Sequence, residues 1–308
     1  MPSSILGCAI TSPGAQVGWG ALVIALALLG ALFGRQLAPH DPLRYDPRQV
    51  LAAPGGEHLL GTDPLGRDVF SQIIGGARIS MVVGLVSVAV GMAVGTAVGL
   101  VAGLAPGRAA GILMRAMDAL LVFPSLVLAL TITAFLGTSL WNVIGALAVT
   151  FIPTFAILVR GEALALGARE FVLAARALGA ARSRIMWRHV LPNLGDVLLV
   201  QSSFGVGTAI LTEASLSFLG LGVPPPALSW GRMLREGYSF VLEAPWLAVA
   251  AGSAIFLIAL ASQTVADGLQ VILARRRPRS RRAGMDRAPT GALRRLLPGR
   301  ALRSGSND

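Results

Sequence analysis

ISMVVGLVSVAVGMAVGTAVGLVAGLAPG, residues 79–107, separates Arg78 from Arg108 without a single charged side chain. A run of this length crosses a hydrocarbon core about 30 Å thick as one α-helix, and it predicts a membrane span over roughly 79–104. Gly84, Gly91, Gly95, Gly99 and Gly103 recur along it at the small-xxx-small spacing that lets two helices approach closely.

Working outward toward the C-terminus, 41 uncharged residues lie between Asp118 and Arg160. As one helix they would be about 61 Å long, twice the bilayer, so the chain must fold back, and Gly137-Thr138-Ser139 is the expected turn. That gives spans near 115–137 and 141–160, with Pro124 and Pro153 expected to kink them. Residues 161–195 are helical in pattern but too charged to span. A fifth span follows at about 197–222, closed by Val223-Pro224-Pro225-Pro226, and a sixth at about 245–273. Toward the N-terminus, a polar loop over 39–78 precedes the central run. Before it stands an apolar stretch over 17–38 with no basic segment ahead and no cleavage site behind, read as an uncleaved first span. Residues 1–16 are then an N-terminal tail. Residues 274–308, mostly Arg, Pro, Gly and Ser, form a C-terminal tail expected to be disordered.

The composition agrees. Of 308 residues, 54% are hydrophobic and 13% charged, about half the charge of a soluble domain, which excludes a water-soluble globule. The net charge of +11 comes from arginine alone, and eleven of the 26 arginines follow the last apolar run. That position fits a cytoplasmic tail and not nucleic-acid binding. With both termini cytoplasmic, 19 arginines fall inside and seven outside; Arg35, behind the first span, points the other way but is outweighed. Cys8 is the single cysteine and forms no internal disulfide. His40, His58 and His189 show no metal-ligand spacing, so no metal site is expected.

The charged stretch carries the functional signal. Arg169, Arg176, Arg182, Arg184 and Arg188 recur at near-helical spacing around small apolar residues, and Gly179 divides the segment into two halves. From pattern alone it is a pair of surface helices, either docking on a partner or lying on lipid headgroups. Leu173-Ala174-Ala175, three residues, Gly179, nine residues, then His189-Val190-Leu191-Pro192 has a particular spacing. It resembles the cytoplasmic motif of the inner-membrane permease subunits of binding-protein-dependent ABC importers: Glu-Ala-Ala, three residues, Gly, nine residues, Ile-x-Leu-Pro. Leu173 replaces the motif glutamate and His189 the isoleucine. Three further stretches narrow the resemblance to the peptide and nickel importer branch, C-type. They are Leu60-Gly61-Thr62-Asp63-Pro64-Leu65-Gly66-Arg67-Asp68-Val69, the run from Glu213 to Pro226 followed by Ser229-Trp230-Gly231, and, more loosely, Ala266-Asp267-Gly268-Leu269.

The resemblance implies an all-α transmembrane protein with the six-span type I ABC importer permease fold, multi-pass in the bacterial inner membrane. It would form half of a translocation path for peptides or a related small solute. Leu173, Ala174, Ala175, Arg176, Gly179, His189, Leu191 and Pro192 would couple it to an ATPase. Its implied partners are a homologous second permease subunit in a heterodimer, two ATP-binding subunits, an extracytoplasmic solute-binding protein and membrane lipid. ATP and magnesium would sit on the ATPase; this chain has no lysine and hence no P-loop. Gly61, Asp63, Gly66, Arg67 and Asp68 mark the periplasmic motif. There Asp63 reads as the N-cap, and Pro64 as the first residue, of a short helix leading into span two; contact with the binding protein or the second permease is the other reading.

Gln201 and Glu213 are candidates for the path. A carboxylate inside a span costs about 2.5 kcal/mol or more unless it faces protein or water, so Glu213 either lines the path or hydrogen-bonds to Thr212, Ser215 or a neighbouring helix. Asp118 and Asp267 read as packing or interface acids at cytoplasmic helix ends, and Trp141, Trp230 and Trp246 as an outer aromatic belt. Two other classes find less support. No His-Glu-x-x-His, Gly-x-Ser-x-Gly or convergent carboxylates support a membrane enzyme. A stand-alone secondary transporter would favour two related halves, and no internal repeat is evident.

Overall fold

The computed structural model describes residues 12–104 and 108–276. Residues 1–11, with Cys8, and the C-terminal tail beyond 276 lie outside the described residues, as does the expectation of disorder there; residues 13–16, read as part of the N-terminal tail, instead form the start of the first helix, capped by Ser12. Among the described residues there are helices and one isolated β-bridge.

The helices are α1 (Pro13–Leu37), α2 (Val69–Leu104), α3 (Arg108–Leu121), α4 (Ser125–Leu136), α5 (Leu140–Gly167) and α6 (Glu170–Ala177). A single turn α7 (Arg182–Arg184), a π-helical turn (Ile185–Val190) and a 3-10 turn (Leu191–Leu194) lead into α8 (Gly195–Phe218). Then come α9 (Trp230–Ser239) and α10 (Pro245–Arg276). Five of these helical runs are individually long and apolar enough to cross a membrane, and α3 with α4 passes only as a bent pair, giving up to six spans.

Three boundaries differ from the sequence reading. First, α2 starts at Val69, not near 79, so the loop before it ends ten residues sooner. Asp63 does not cap a helix. Its Oδ1 accepts from the backbone N–H groups of Leu65 (2.8 Å) and Arg67 (2.9 Å) in a tight turn closed by the Thr62–Asp68 bridge. Asp68 is the cap instead, its Oδ2 accepting from Ser71 N–H at 2.8 Å, which satisfies one of the orphan donors of the first turn. Second, the third span is not one rod: α3 and α4 meet at 91°. Pro124 at the break lacks an N–H and biases Phe123 away from the helical region. Third, α5 continues through Pro153 to Gly167, placing Glu162 in the span helix and not in the following loop.

The core forms where α2 lies along α5 and where α10 is flanked by α1, α8 and α9. The α2 glycines make the first contact. A Cβ on Gly95 would stand 2.6 Å from the Ile152 carbonyl oxygen, and one on Gly99 2.5 Å from that of Ala156, so a side chain at either position would drive the helices apart. Gly137, at φ +83°, makes the expected turn, and Ser139 caps α5 by accepting from Asn142 N–H. Of the three belt candidates among the tryptophans only Trp141 is exposed, at 70%. Trp246 is half-buried, and Trp230 is buried, its indole N–H donating to the Ile73 carbonyl at 2.8 Å and its backbone N–H to Ser80 Oγ at 3.2 Å. Trp230 is a packing residue joining α9 to α2, not part of a belt.

Candidate functional site

The segment around Gly179 is anchored from below and bare above. Val172, Ile185, Val190 and Leu194 are buried with Leu100, Val159 and Leu166 at the ends of α2 and α5. Arg169 takes the cap position of α6, Glu170 sits in its first turn and Arg176 in its last, matching the helix dipole. The helix stops in a Schellman motif: Ala180 N–H reaches the Ala175 carbonyl (3.1 Å) and Gly179 N–H that of Arg176 (3.0 Å). This closure requires a left-handed residue, and Gly179 has φ +79°, a conformation glycine adopts without a Cβ penalty.

On the far side, Phe171, Leu173, Trp187 and, at 89% exposure, Leu178 face outward. Ala174, Arg176 and Pro192 are also exposed, while Ala175, His189 and Leu191 are half-buried, the His189 ring tilted against Phe171. Among the described residues, none of Arg169, Arg176, Arg182, Arg184 and Arg188 forms an ion pair. The result is an apolar knob ringed by free guanidinium groups. The structure therefore brings Leu173 through Pro192 into one surface.

The motif over residues 61–68 is different: its charges face inward. Asp63 Oδ2 accepts from Arg67 Nε and from Gln72 Nε2, both at 2.6 Å. Arg67 Nη2 reaches Glu236 at 3.4 Å, and Arg232 Nε donates to Glu236 at 2.8 Å, so the network ties the loop to α2 and α9. Gly61 and Gly66 have φ near +70°; at Gly66 a Cβ would run into the Asp46 carbonyl. Gln72, Arg232 and Glu236 belong to this network and were not singled out in the sequence, since their partners are up to 169 residues away.

Asp68 sits beside that network, outside the spans. Burial pushes its carboxyl up, but hydrogen bonds from the Ser71 hydroxyl, His58 and the Ser71 backbone, with the nearby His40, outweigh this and hold it below the usual range. His58 Nδ1 lies 2.8 Å and His40 Nδ1 3.8 Å from its two oxygens. His40 and His58, 18 positions apart and without metal-ligand spacing in the sequence, meet at Asp68, whereas His189 stays apart.

Glu213 and Gln201 are not brought together. Glu213 is wholly enclosed, at 0% exposure, with Oε1 accepting from Ser217 Oγ at 2.7 Å and Oε2 unpartnered among the described residues. Thr212 and Ser215 bond the backbone of their own helix instead. Gln201 is half-buried and lines a cavity of about 570 Å³ between α5, α8 and α10, with Asp196, Asp267 and Gln270. Asp118, like Asp267, is exposed.

A bundle of apolar helices crossing a membrane up to six times, with one exposed basic elbow between the fourth and fifth membrane-crossing helices, defines a polytopic transport-type subunit. Comparison with known families then identifies it: residues 95–279 match the binding-protein-dependent transport system inner membrane component, and the chain belongs to that family. It is 39% identical over 251 residues to the dipeptide transport system permease protein DppC of Alkalihalophilus pseudofirmus, covering 82% of this chain and 83% of the relative. It is 43% identical over 251 residues to the glutathione transport system permease protein GsiD of Shigella flexneri serotype 5b, and 42% to that of Escherichia coli O157:H7, each covering 81% of this chain and 83% of the relative. The chain is a multi-pass inner-membrane permease subunit of an ABC importer of the peptide type, with ATPase and substrate-binding partners. It is neither an enzyme nor a stand-alone secondary transporter.

Proposed function

We propose that this chain is one half of a heterodimeric permease, paired with a homologous second subunit, two ATP-binding subunits and an extracytoplasmic solute-binding protein. ATP and magnesium stay on the ATP-binding subunits, and both termini of this chain face the cytoplasm. The solute is a peptide or a related small molecule, in keeping with relatives named for dipeptide and glutathione transport. Selection among such solutes falls to the binding protein.

The observation that carries this reading is the knob at Leu178–Gly179. A leucine exposed at 89% beside a turn fixed by its own backbone bonds suits seating in a groove of a partner. Leu173, Ala174, Ala175, Arg176, Gly179, His189, Leu191 and Pro192 form the element that follows the ATPase as it closes. Because Val172, Ile185 and Val190 lock it to α2 and α5, it moves the spans as a rigid body. Gln201, on the cavity between α5, α8 and α10, lies along the path; Glu213 serves the packing of α8 on α9.

The test is a cross-link. In the assembled complex, Leu178→Cys should cross-link to the ATP-binding subunit, and reporter fusions at Arg182 and Arg303 should read cytoplasmic while those at Glu57 and Arg235 read periplasmic. A cytoplasmic reading at Glu57, or a Leu178→Cys that meets only lipid, overturns it.

A further inference from the structure

Two histidines from opposite parts of the first loop close on the carboxylate that caps α2. The backbone N–H of His40 donates to Ser71 Oγ (3.1 Å), and the same hydroxyl donates to Asp68 Oδ2 (2.6 Å), so His40 is pinned to the start of the helix. The His40 and His58 ring centroids are 5.0 Å apart. One ligand atom from each of His40, His58 and Asp68 falls within 4.8 Å of the other two.

The hydrogen bonds around His58 decide what this cluster needs. Gln49 donates its amide nitrogen to Glu57 Oε2 at 3.1 Å, which turns its carbonyl oxygen toward His58 Nε2. A carbonyl oxygen only accepts, so Nε2 donates to it. The other ring nitrogen, Nδ1, is thereby directed at Asp68 Oδ1, 2.8 Å away. A nitrogen and a carboxylate oxygen so placed can share a cation, and His40 adds a second nitrogen on the other carboxylate oxygen. A histidine ligand held through its second nitrogen is how metal sites orient their rings.

We propose that His40 Nδ1, His58 Nδ1 and the Asp68 carboxylate bind one divalent transition-metal ion of the zinc class, with Gln49 and Glu57 orienting His58. Two imidazoles and one carboxylate suit such borderline ions, while calcium and magnesium prefer all-oxygen sites. Bonds of about 2.0–2.2 Å place ligand atoms on one ion about 3–3.5 Å apart, which a shift of roughly 1 Å in the His40 ring, 44% exposed, supplies. The site opens on a cavity of about 650 Å³ whose lining carries Asp41, Asp46, Glu57 and Asp68 against one arginine, Arg44. That excess of negative charge favours a cation and leaves open coordination positions for water or a solute ligand.

The test uses the full chain in detergent, purified through a tag without histidine, and titrates Zn²⁺ against a chromophoric chelator. One ion should bind per chain, and X-ray absorption should show two imidazoles in its coordination shell. His40→Ala, at an exposed position, and Gln49→Ala, one step behind the ion, should each weaken binding about 10- to 100-fold with unchanged melting of the metal-free chain. Absence of Zn²⁺ binding overturns the proposal, leaving a proton on His58 as the bridging cation. Equal affinity in wild type and a His40→Ala/His58→Ala variant also overturns it, by placing the ion elsewhere. Binding is read directly, so neither result depends on the transport reading.

Discussion

Gly179 can be replaced in three ways that separate backbone conformation from docking. At φ +79° any L-residue pays about 1–2 kcal/mol relative to glycine, asparagine the least among them. Chain neighbours aside, no atom of the described residues lies within 4 Å of a Cβ built there, so a Cβ at this position meets no obstacle inside the subunit and the cost common to alanine and leucine is that of the backbone. A penalty of about 1–2 kcal/mol lowers the ratio of formed to unformed Schellman turn about 5- to 30-fold, which sets the upper limit on any loss of function through the backbone alone. The buried anchors Val172 and Ile185 on either side keep the rest of the element in place, so all three variants should insert and accumulate normally. Gly179→Asn should therefore transport nearly as well as wild type, and Gly179→Ala should lose up to that 5- to 30-fold. Gly179→Leu should lose uptake altogether, together with ATPase association or binding-protein-stimulated ATP hydrolysis, because its side chain occupies space reserved for the partner. The assay is solute uptake and ATP hydrolysis by reconstituted complexes at matched expression. If leucine and alanine behave alike, the knob docks on nothing. If Gly179→Leu transports normally, the coupling role fails outright.

Three further outcomes follow from the packing. Gly99→Leu puts a side chain into the Ala156 carbonyl, 2.5 Å from the position of its Cβ, and should destabilise the α2–α5 contact by about 1–3 kcal/mol or more, seen as lowered melting in detergent. Asp63→Ala removes the partner of the buried Arg67 guanidinium and should cost about 1.5–3 kcal/mol in the same measurement; Asp63→Asn, which keeps an acceptor, should cost less. Glu213→Gln preserves an oxygen for Ser217 and should leave uptake unchanged; a large drop in transport at normal stability would return Glu213 to the path.

What the sequence determined was whatever depends on composition and local order. Uncharged runs such as 79–107 and 119–159 must cross or fold back in lipid, because unpaired backbone groups there have no water to meet. The turn at Gly137 and the surface segment hinged at Gly179 were legible for the same reason: each is decided by a few neighbouring residues. The spacing from Leu173 to Pro192 was enough to suggest the family. Side-chain partnership was not legible. Asp63 looked like a helix cap because Asp-Pro is a good local start, but Arg67, Gln72 and the Thr62–Asp68 bridge give its carboxylate better bonds in a turn. Trp230 looked like a lipid-facing belt residue until the fold set Ile73 and Ser80 against it. His40 and His58 meet only because the loop from α1 doubles back over the start of α2. Asp68, already committed to capping that helix, then holds its second oxygen toward His58. Such contacts arise between residues far apart in the chain, and only the tertiary structure brings them within reach.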